Sequence, residues 1–212
     1  MATILVVDDH PAIRLIIKTH LLQMLGVTNV IEADTGQSAI ETVRHRKPDM
    51  AVLDLDIPLI SGLDVIPRVR LLHPAIRILV LSAQDPATFA PRSMRAGAHG
   101  FVSKSQDMRE IVHSVEAVLA GYTADPGATH SRSHASDDIA NEESQLTLLS
   151  NKEIVILQML AKGMSNKTVG EALFISTKTV SSHKVRIMQK LRVSTLVELV
   201  DFARRCRVAW SQ

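Results

Sequence analysis

Cysteine occurs once in the 212-residue chain, at Cys206. One thiol can form neither an internal disulfide nor a cysteine-rich metal cluster, and it suits a reducing compartment. Aromatic residues make up 3% of the chain, so any core must be built from Leu, Ile, Val, Ala and Met. No apolar run approaches the roughly 20 residues that a membrane-spanning helix needs. Asp8 and Asp9 interrupt the first apolar run early, and no basic segment precedes it as in a secretion signal. A soluble, cytoplasmic protein without membrane association is expected.

Hydrophobic content of 46% and charged content of 22% are ordinary for globular domains, and the length allows one large or two modest ones. The net charge of +2 hides an asymmetry. Residues 1–120 carry 12 Lys+Arg against 13 Asp+Glu, a balance of −1. Residues 121–145 carry 1 against 5, and residues 146–212 carry 11 against 4, giving −4 and +7. A strongly basic C-terminal third behind an acidic spacer suggests a nucleic-acid binder joined to another domain.

In the first 120 residues short aliphatic runs alternate with helical patterns. Ile4–Val7, a run around Val30-Ile31, Met50–Leu53, Ile76–Leu81 and Gly100–Val102 read as buried strands. Pro11 opens a first helix, with an apolar stripe of Ile13, Ile16, Ile17, Leu21, Met24 and Leu25 ended by Gly26. Five such repeats predict an α/β domain with a doubly wound, five-stranded parallel sheet. The carboxyl ends of strands 1, 3, 4 and 5 then bring Asp8, Asp9, Asp54, Ser82 and Lys104 to one edge, where open α/β sheets bind ligands. Converging carboxylates repel, and oxygen ligands of this kind suit Mg2+. A carboxylate beside that ion can attack phosphorus to form an acyl phosphate. A lysine and a hydroxyl nearby would bind the remaining phosphoryl oxygens.

These residues, in this order at strand ends, resemble the receiver domain of bacterial two-component response regulators, a flavodoxin-like fold. The resemblance implies that Asp54 is the phosphoacceptor. It implies that Asp9 and Asp54 ligate Mg2+, that Asp8 helps through water, and that the backbone carbonyl of Asp56 completes the set. Lys104 would pair with the phosphoryl group, Ser82 would move to hydrogen-bond it, and Phe101, the switch aromatic, would turn inward behind Ser82. The chain departs from the pattern at Ser105, where many receivers carry Pro. Pro67 and Pro91 fall in or near helices three and four, and Pro91 would leave helix four short or kinked unless it lies in the first turn. Asp56 adds negative charge near the acceptor and is expected to influence the lifetime of the acyl phosphate.

From 121 to 145 periodicity gives way to Gly, Pro, Ser, Thr, His and acidic residues, which predicts a flexible linker with His130 and His134 solvated. Beyond it, Ser150 and Glu153 form a capping box for a helix lined by Ile154, Leu157, Met159 and Leu160. Ser165 caps a second, short helix and Ser176 a third, whose apolar stripe is Val180, Ile187 and Leu191. A fourth helix follows Ser194. Two short helices on a tight turn, the second basic on its outer face, predict an all-α helix-turn-helix domain. Residues 146–208 resemble the LuxR-type DNA-binding domain, fused to receivers in the NarL/FixJ family. The likeness rests on Leu149-Ser150 with Glu153, Gly163 to Lys167, Leu173 to Ser176, Thr179-Val180 with His183, and Lys190-Leu191. It implies base-facing positions for Ser181, Ser182 and Val185, and phosphate contacts for Lys178, His183, Lys184, Arg186 and Lys190. Val185 stands where a basic residue is frequent, and Gly170 where alanine is usual.

The combined resemblance implies a response regulator. A sensor histidine kinase would phosphorylate Asp54, and this would control binding of a homodimer to double-stranded promoter DNA. An alternative is a haloacid-dehalogenase-like phosphatase, whose paired aspartates Asp54-Leu55-Asp56 resemble. That family places the pair after its first strand and continues with Thr or Val where this chain has Pro58. A third reading is a phosphorylation-independent DNA-binding protein with a degenerate receiver, opposed by the intact set of Asp8, Asp9, Asp54, Ser82 and Lys104.

Overall fold

In the computed structural model, which describes residues 1–124, 145, 146, 148–206 and 208, the apolar runs form five strands: β1 (Ala2–Val7), β2 (Val27–Ala33), β3 (Met50–Leu53), β4 (Arg77–Ser82) and β5 (Gly100–Ser103). All pair in parallel, in the order β2-β1-β3-β4-β5. Between them run α1 (Pro11–Leu21), α2 (Gly36–Arg46), α3 (Gly62–Leu72), α4 (Pro86–Ala96) and α5 (Met108–Leu119). Every residue of β3 is buried, which is why it reads as an unbroken apolar run without alternation. Ile4, Val6, Met50, Val52, Leu79, Leu81 and Val102 form one core face with Ile17 and Leu21 of α1 and Ile111, Val115 and Val118 of α5. Alternate positions such as Leu5, Val7, Leu53, Ile78 and Val80 point to the other face and are equally buried.

Several local expectations change. Helix α1 ends at Leu21 rather than Gly26, and it buries Ile17 and Leu21 while Ile16 and Leu25 are exposed. Pro91 lies inside α4, yet the helix has the same 11 residues as α3, which contains Pro67. Neither helix is shortened, because each proline removes one donor from a helix already held on the sheet by burial, Val65, Ile66 and Val69 in α3 and Phe89 and Ala90 in α4. The linker expected from 121 begins as structure. Ala124 forms a parallel bridge with Gly100, its N–H donates to His99 at 3.0 Å, and Phe101 N–H donates to its carbonyl at 3.0 Å. The rest of that linker up to 144, with His130 and His134, lies outside the described residues.

The chain divides into two units, Met1–His130 and Ser131–Gln212. The second contains α6 (Asn151–Ala161), α7 (Asn166–Ala172), α8 (Thr177–Leu191) and α9 (Leu196–Arg205). The Ser150–Glu153 capping box forms, and Ser165 and Ser176 cap their helices by accepting from Thr168 and Thr179 N–H. The fourth helix follows Ser194 as expected, and Thr195 caps it, because its hydroxyl accepts from Glu198 N–H. The stripe on α8 is buried as expected at Val180, Ile187 and Leu191. On α6 the core positions are Ile154, Ile156, Leu157 and Leu160, with Met159 half-buried. Among the described residues no helix is long and apolar enough to cross a membrane.

Two glycines mark close approaches. A Cβ on Gly170 would stand 2.7 Å from the Ile175 carbonyl oxygen, so the alanine usual at this place would not fit this α7–α8 turn. A Cβ on Gly62 would collide with the Asp54 carbonyl oxygen and stand 2.7 Å from Leu55 Cα, both backbone atoms with no freedom to swing away. Gly62→Ala is therefore expected to destabilise the first unit by about 1–3 kcal/mol, as overpacking does. Urea unfolding of the full chain should show an earlier transition for that unit, and an unchanged midpoint would contradict the close approach.

Candidate functional site

Strands β1 and β3 are central neighbours, with β2 beyond β1 and β4 beyond β3. Crossovers leave this pair in opposite directions, opening a crevice at the carboxyl ends where ligands bind in such sheets. Ladder hydrogen bonds run one residue past the strands and fix the polar groups there. Asp8 N–H donates to Ala33 (3.2 Å), Asp54 N–H to Val7 (2.9 Å) and Lys104 N–H to Ser82 (2.9 Å).

The Lys104 ammonium sits between two buried carboxylates, 2.6 Å from Asp8 Oδ2 and 2.7 Å from Asp54 Oδ2. Asp8 is 1% exposed and Asp54 3%. The other oxygen of Asp54, Oδ1, is buried and has no hydrogen-bond partner. Burial raises the Asp54 carboxyl to about 6, with Asp8 and Asp56 adding repulsion and Lys104 opposing. Burial alone would lower Lys104, but Asp54 and Asp8 outweigh it and hold the ammonium charged.

Asp8 and Asp9 carry a neighbour that sequence reasoning missed. His10 Nδ1 lies 2.7 Å from Asp9 Oδ1 and 3.3 Å from Asp8 Oδ1, and His10 N–H donates to Asp8 Oδ1 at 2.8 Å. Donor atoms of Asp8, Asp9 and His10 all lie within 4.8 Å of one another. Asp54 stands outside that group, joined to Asp8 through Lys104 instead. Arg14, also missed, donates from Nη1 to the Asp8 carbonyl at 2.6 Å. Paired carboxylates beside an unpartnered buried carboxylate oxygen fit a hard divalent cation.

Ser82 is fully buried, and its Oγ accepts from Gln84 N–H at 3.2 Å. Gln84 Nε2 donates to Asp56 Oδ2 at 2.5 Å and so ties the loop after β4 to the loop after β3. Asp56 is exposed, while Gln84 is buried. Phe101, expected to turn inward on activation, is 1% exposed here and pairs with Val80 on β4, the neighbour of the edge strand β5.

On α8, Lys178, Ser182, Val185 and Arg186 are exposed and Lys184 is half-buried. Two of the expected DNA-facing residues, Ser181 and Lys190, also bond within the domain, and a third, His183, is half-buried. Ser181 Oγ donates to Thr177 and accepts from Asn166 Nδ2 at 3.1 Å, joining α7 to α8. His183 has its Nδ1 buried without a partner, and burial, then Lys152, lowers its pKa. Lys190 Nζ lies 2.7 Å from Oε2 of the buried Glu153. That same oxygen also accepts from Ser150 N–H (2.7 Å) and Oγ (2.9 Å). No pattern in the sequence joins Glu153 to Lys190, 37 residues apart.

Residues 4–116 match the family model of the response regulator receiver domain, and residues 147–203 match that of bacterial regulatory proteins of the luxR family. A Pseudomonas aeruginosa protein is 48% identical over 206 residues, covering 97% of this chain and 98% of its own. BvgA of Bordetella pertussis, which carries the name of a virulence-factor transcription regulator, is 40% identical over 206 residues, with the same coverage of 97% and 98%. The crystal structure of a LuxR-family two-component response regulator from Aurantimonas sp. SI85-9A1 aligns at 33% identity and a TM-score of 0.56, covering 70% of this chain and 99% of that one. The chain belongs to the two-component response regulators, with a receiver domain followed by a LuxR-type DNA-binding domain. Its relatives are transcription regulators, and this membership sets aside the phosphatase alternative.

The folded carboxyl of Asp54, at about 6, lies above the ordinary 3.8, so the native state holds that proton more tightly. Stability is therefore lost as pH rises from about 4 to 6. In metal-free buffer at pH 7, Asp54→Asn is expected to be more stable than the wild type by up to about 3 kcal/mol, at 1.36 kcal/mol per pKa unit. The advantage should shrink toward pH 4. Urea unfolding at both pH values measures this, and a less stable variant at pH 7 would mean that the Lys104 pair outweighs burial.

Proposed function

We propose that Asp54 accepts a phosphoryl group from a sensor histidine kinase and that this controls DNA binding by α8. The observation that carries the reading is the buried, unpartnered Asp54 Oδ1 beside an ammonium already 2.7 Å from its twin oxygen. Oδ1 attacks phosphorus, the P–N bond of the donor phosphohistidine breaks, and its electron pair stays on the imidazole, which takes up a proton. Lys104 then shares its charge with the new phosphoryl oxygens, and the Ser82 hydroxyl donates a hydrogen bond to them. Asp8, Asp9 and Asp54, with the Asp56 carbonyl, would hold Mg2+, which neutralises the transferring group when bound. Phe101 is already inside. The change on phosphorylation then runs through Ser82 and Gln84, whose side chain is bonded to Asp56.

Intact mass after incubation with Mg2+ and acetyl phosphate tests the acceptor. One phosphoryl group, labile to hydroxylamine, is expected on the wild type and none on Asp54→Asn. Equal gain by both proteins would put the site elsewhere. Full DNA binding by Asp54→Ala, with no response of the wild type to phosphorylation, would favour phosphorylation-independent binding.

For DNA, the exposed Lys178 and Arg186, with Lys184, address phosphates of a promoter duplex, and Ser182 and Val185 meet base edges. Ser181 and Lys190 also tie α8 to α7 and α6 through Asn166 and Glu153. Two domains of a homodimer then read two half-sites. Salt dependence separates these roles on any duplex. Neutralising Lys178, Lys184 or Arg186 should each lower the slope of log K against log salt by about 1. Lys190→Met should leave that slope unchanged while lowering stability, and a slope reduced by about 1 would restore Lys190 as a phosphate contact.

A further inference from the structure

At the end of the sheet away from Asp54, the ring of His99 stands between two nitrogen donors. We propose that His99 is a proton-sensitive latch: its neutral ring keeps Ala124, at the start of the linker, paired on the edge strand β5, and protonation releases it. The inference does not depend on the phosphorylation of Asp54.

His99 directly precedes β5, and its ring is half-buried. Ile78 N–H of β4 donates to Nδ1 at 3.0 Å, and Arg70 Nη1 of α3 lies 3.2 Å from Nε2. A neutral imidazole has one acceptor nitrogen and can satisfy one of these donors. A protonated ring has none and meets N–H groups on both sides. Arg70 is held in place, because its Nη1 also donates to the Gly97 carbonyl at 3.0 Å and a Cβ on Gly97 would stand 2.7 Å from its Cδ. The charges that bear on the ring, Arg70 and Arg77 at the start of β4, are both positive, and with burial, the larger cause, they lower its pKa.

The same residue carries the backbone of the latch. His99 N–H donates to Ile78 at 2.7 Å, and its carbonyl accepts from Ala124 N–H at 3.0 Å. The Ala124 carbonyl accepts in turn from Phe101 N–H at 3.0 Å. Gly100 makes the seat between them, since a Cβ there would stand 2.8 Å from Ala124 Cβ and 2.9 Å from its carbonyl oxygen. A ring driven out by protonation pulls on the carbonyl that holds Ala124. Once Ala124 is free, the chain leaves this unit at Tyr122, whose N–H donates to Ala117 of α5 at 2.9 Å. The point where the linker is attached then shifts with pH.

The plainer reading makes His99 a neutral structural histidine whose titration moves nothing. Because the latched ring holds a proton less tightly than the ordinary 6.5, the latch is fully present above that pH and is lost as pH falls below it. Asp54 changes global stability in the opposite sense, so the test reads local opening instead. Amide hydrogen exchange of the full chain by NMR, corrected for the intrinsic rate, compares about pH 7.5 with about pH 5.5. One unit below 6.5 the open form gains up to about tenfold over the latched form. Protection of Ile78, Phe101 and Ala124 should fall by about that factor in the wild type, while Val6 and Val52 in the centre of the sheet keep theirs. His99→Asn retains an acceptor near the position of Nδ1 but does not titrate, and it should show no such fall. Unchanged protection of Ala124 in the wild type, or an equal fall in His99→Asn, overturns the latch. A ring that titrates at or above 6.5, read from its Cε1–H resonance in the same samples, also overturns it, because the protonated ring would then be tolerated.

Discussion

One ammonium holds the carboxyl edge of the sheet together. Asp8 and Asp54 are both almost fully buried, on adjacent strands, and Lys104 reaches both within 2.7 Å. Two desolvated carboxylates at that range would repel by several kcal/mol without it. Even so the compensation is incomplete, because Asp54 remains raised to about 6. The crevice is thus built to be relieved by something arriving, either a cation or the proton that Asp54 already tends to keep. A phosphoryl group brings further negative charge, and Lys104 is the group already placed to meet it.

The backbone around Asp54 is made to the same end. Gly62 lets α3 start against the Asp54 carbonyl, and Gly62 N–H closes the loop by donating to Leu55 at 3.1 Å. Between them Leu59 takes a left-handed conformation at φ 71, which costs a non-glycine residue energy that only a constrained loop retains. The Gln84–Asp56 bond then joins this loop to the one after Ser82. Gln84 thus bonds to Ser82 Oγ through its N–H and to Asp56 through its side chain, so one residue bridges the two loops.

Much of this was legible in the sequence because burial writes itself as residue type. The strands read as aliphatic runs ending in Asp8, Asp54, Ser82 and Lys104, and the sheet order puts those ends together. Helix caps at Ser150, Ser165 and Ser176 were legible because each is a local, three-residue bond. What escaped depends on geometry over distance. Ala124 pairs with Gly100 through backbone groups that any residue could supply. His10 looks like an ordinary residue before Pro11 until its ring is placed beside Asp9. Ser181 and Lys190 lie on the outer, basic arc of α8 by helical periodicity, yet partners on other helices turn them to structural use. Phe101, read as the switch aromatic, is buried on β5 beside Val80.

Each unit holds a buried carboxylate, and the two are bonded differently. Glu153 and Asp54 are alike in burial, 4% and 3% exposed, and each has a lysine at 2.7 Å. Glu153 spends Oε2 on three donors: the Lys190 ammonium, Ser150 N–H and Ser150 Oγ. Burial pushes its pKa up, but those bonds prevail and hold it below the usual carboxylate range. An acid so satisfied binds α6 to α8 and has nothing left to react with. Asp54 has one donor on Oδ2 and none on Oδ1, and its pKa moves the opposite way. Burial is the largest influence on Asp54, with Asp8 and Asp56 adding repulsion, whereas at Glu153 the hydrogen bonds and the Lys190 charge together prevail over burial. Asp54 is left with an unpartnered oxygen, whereas Glu153 ties α6 to α8.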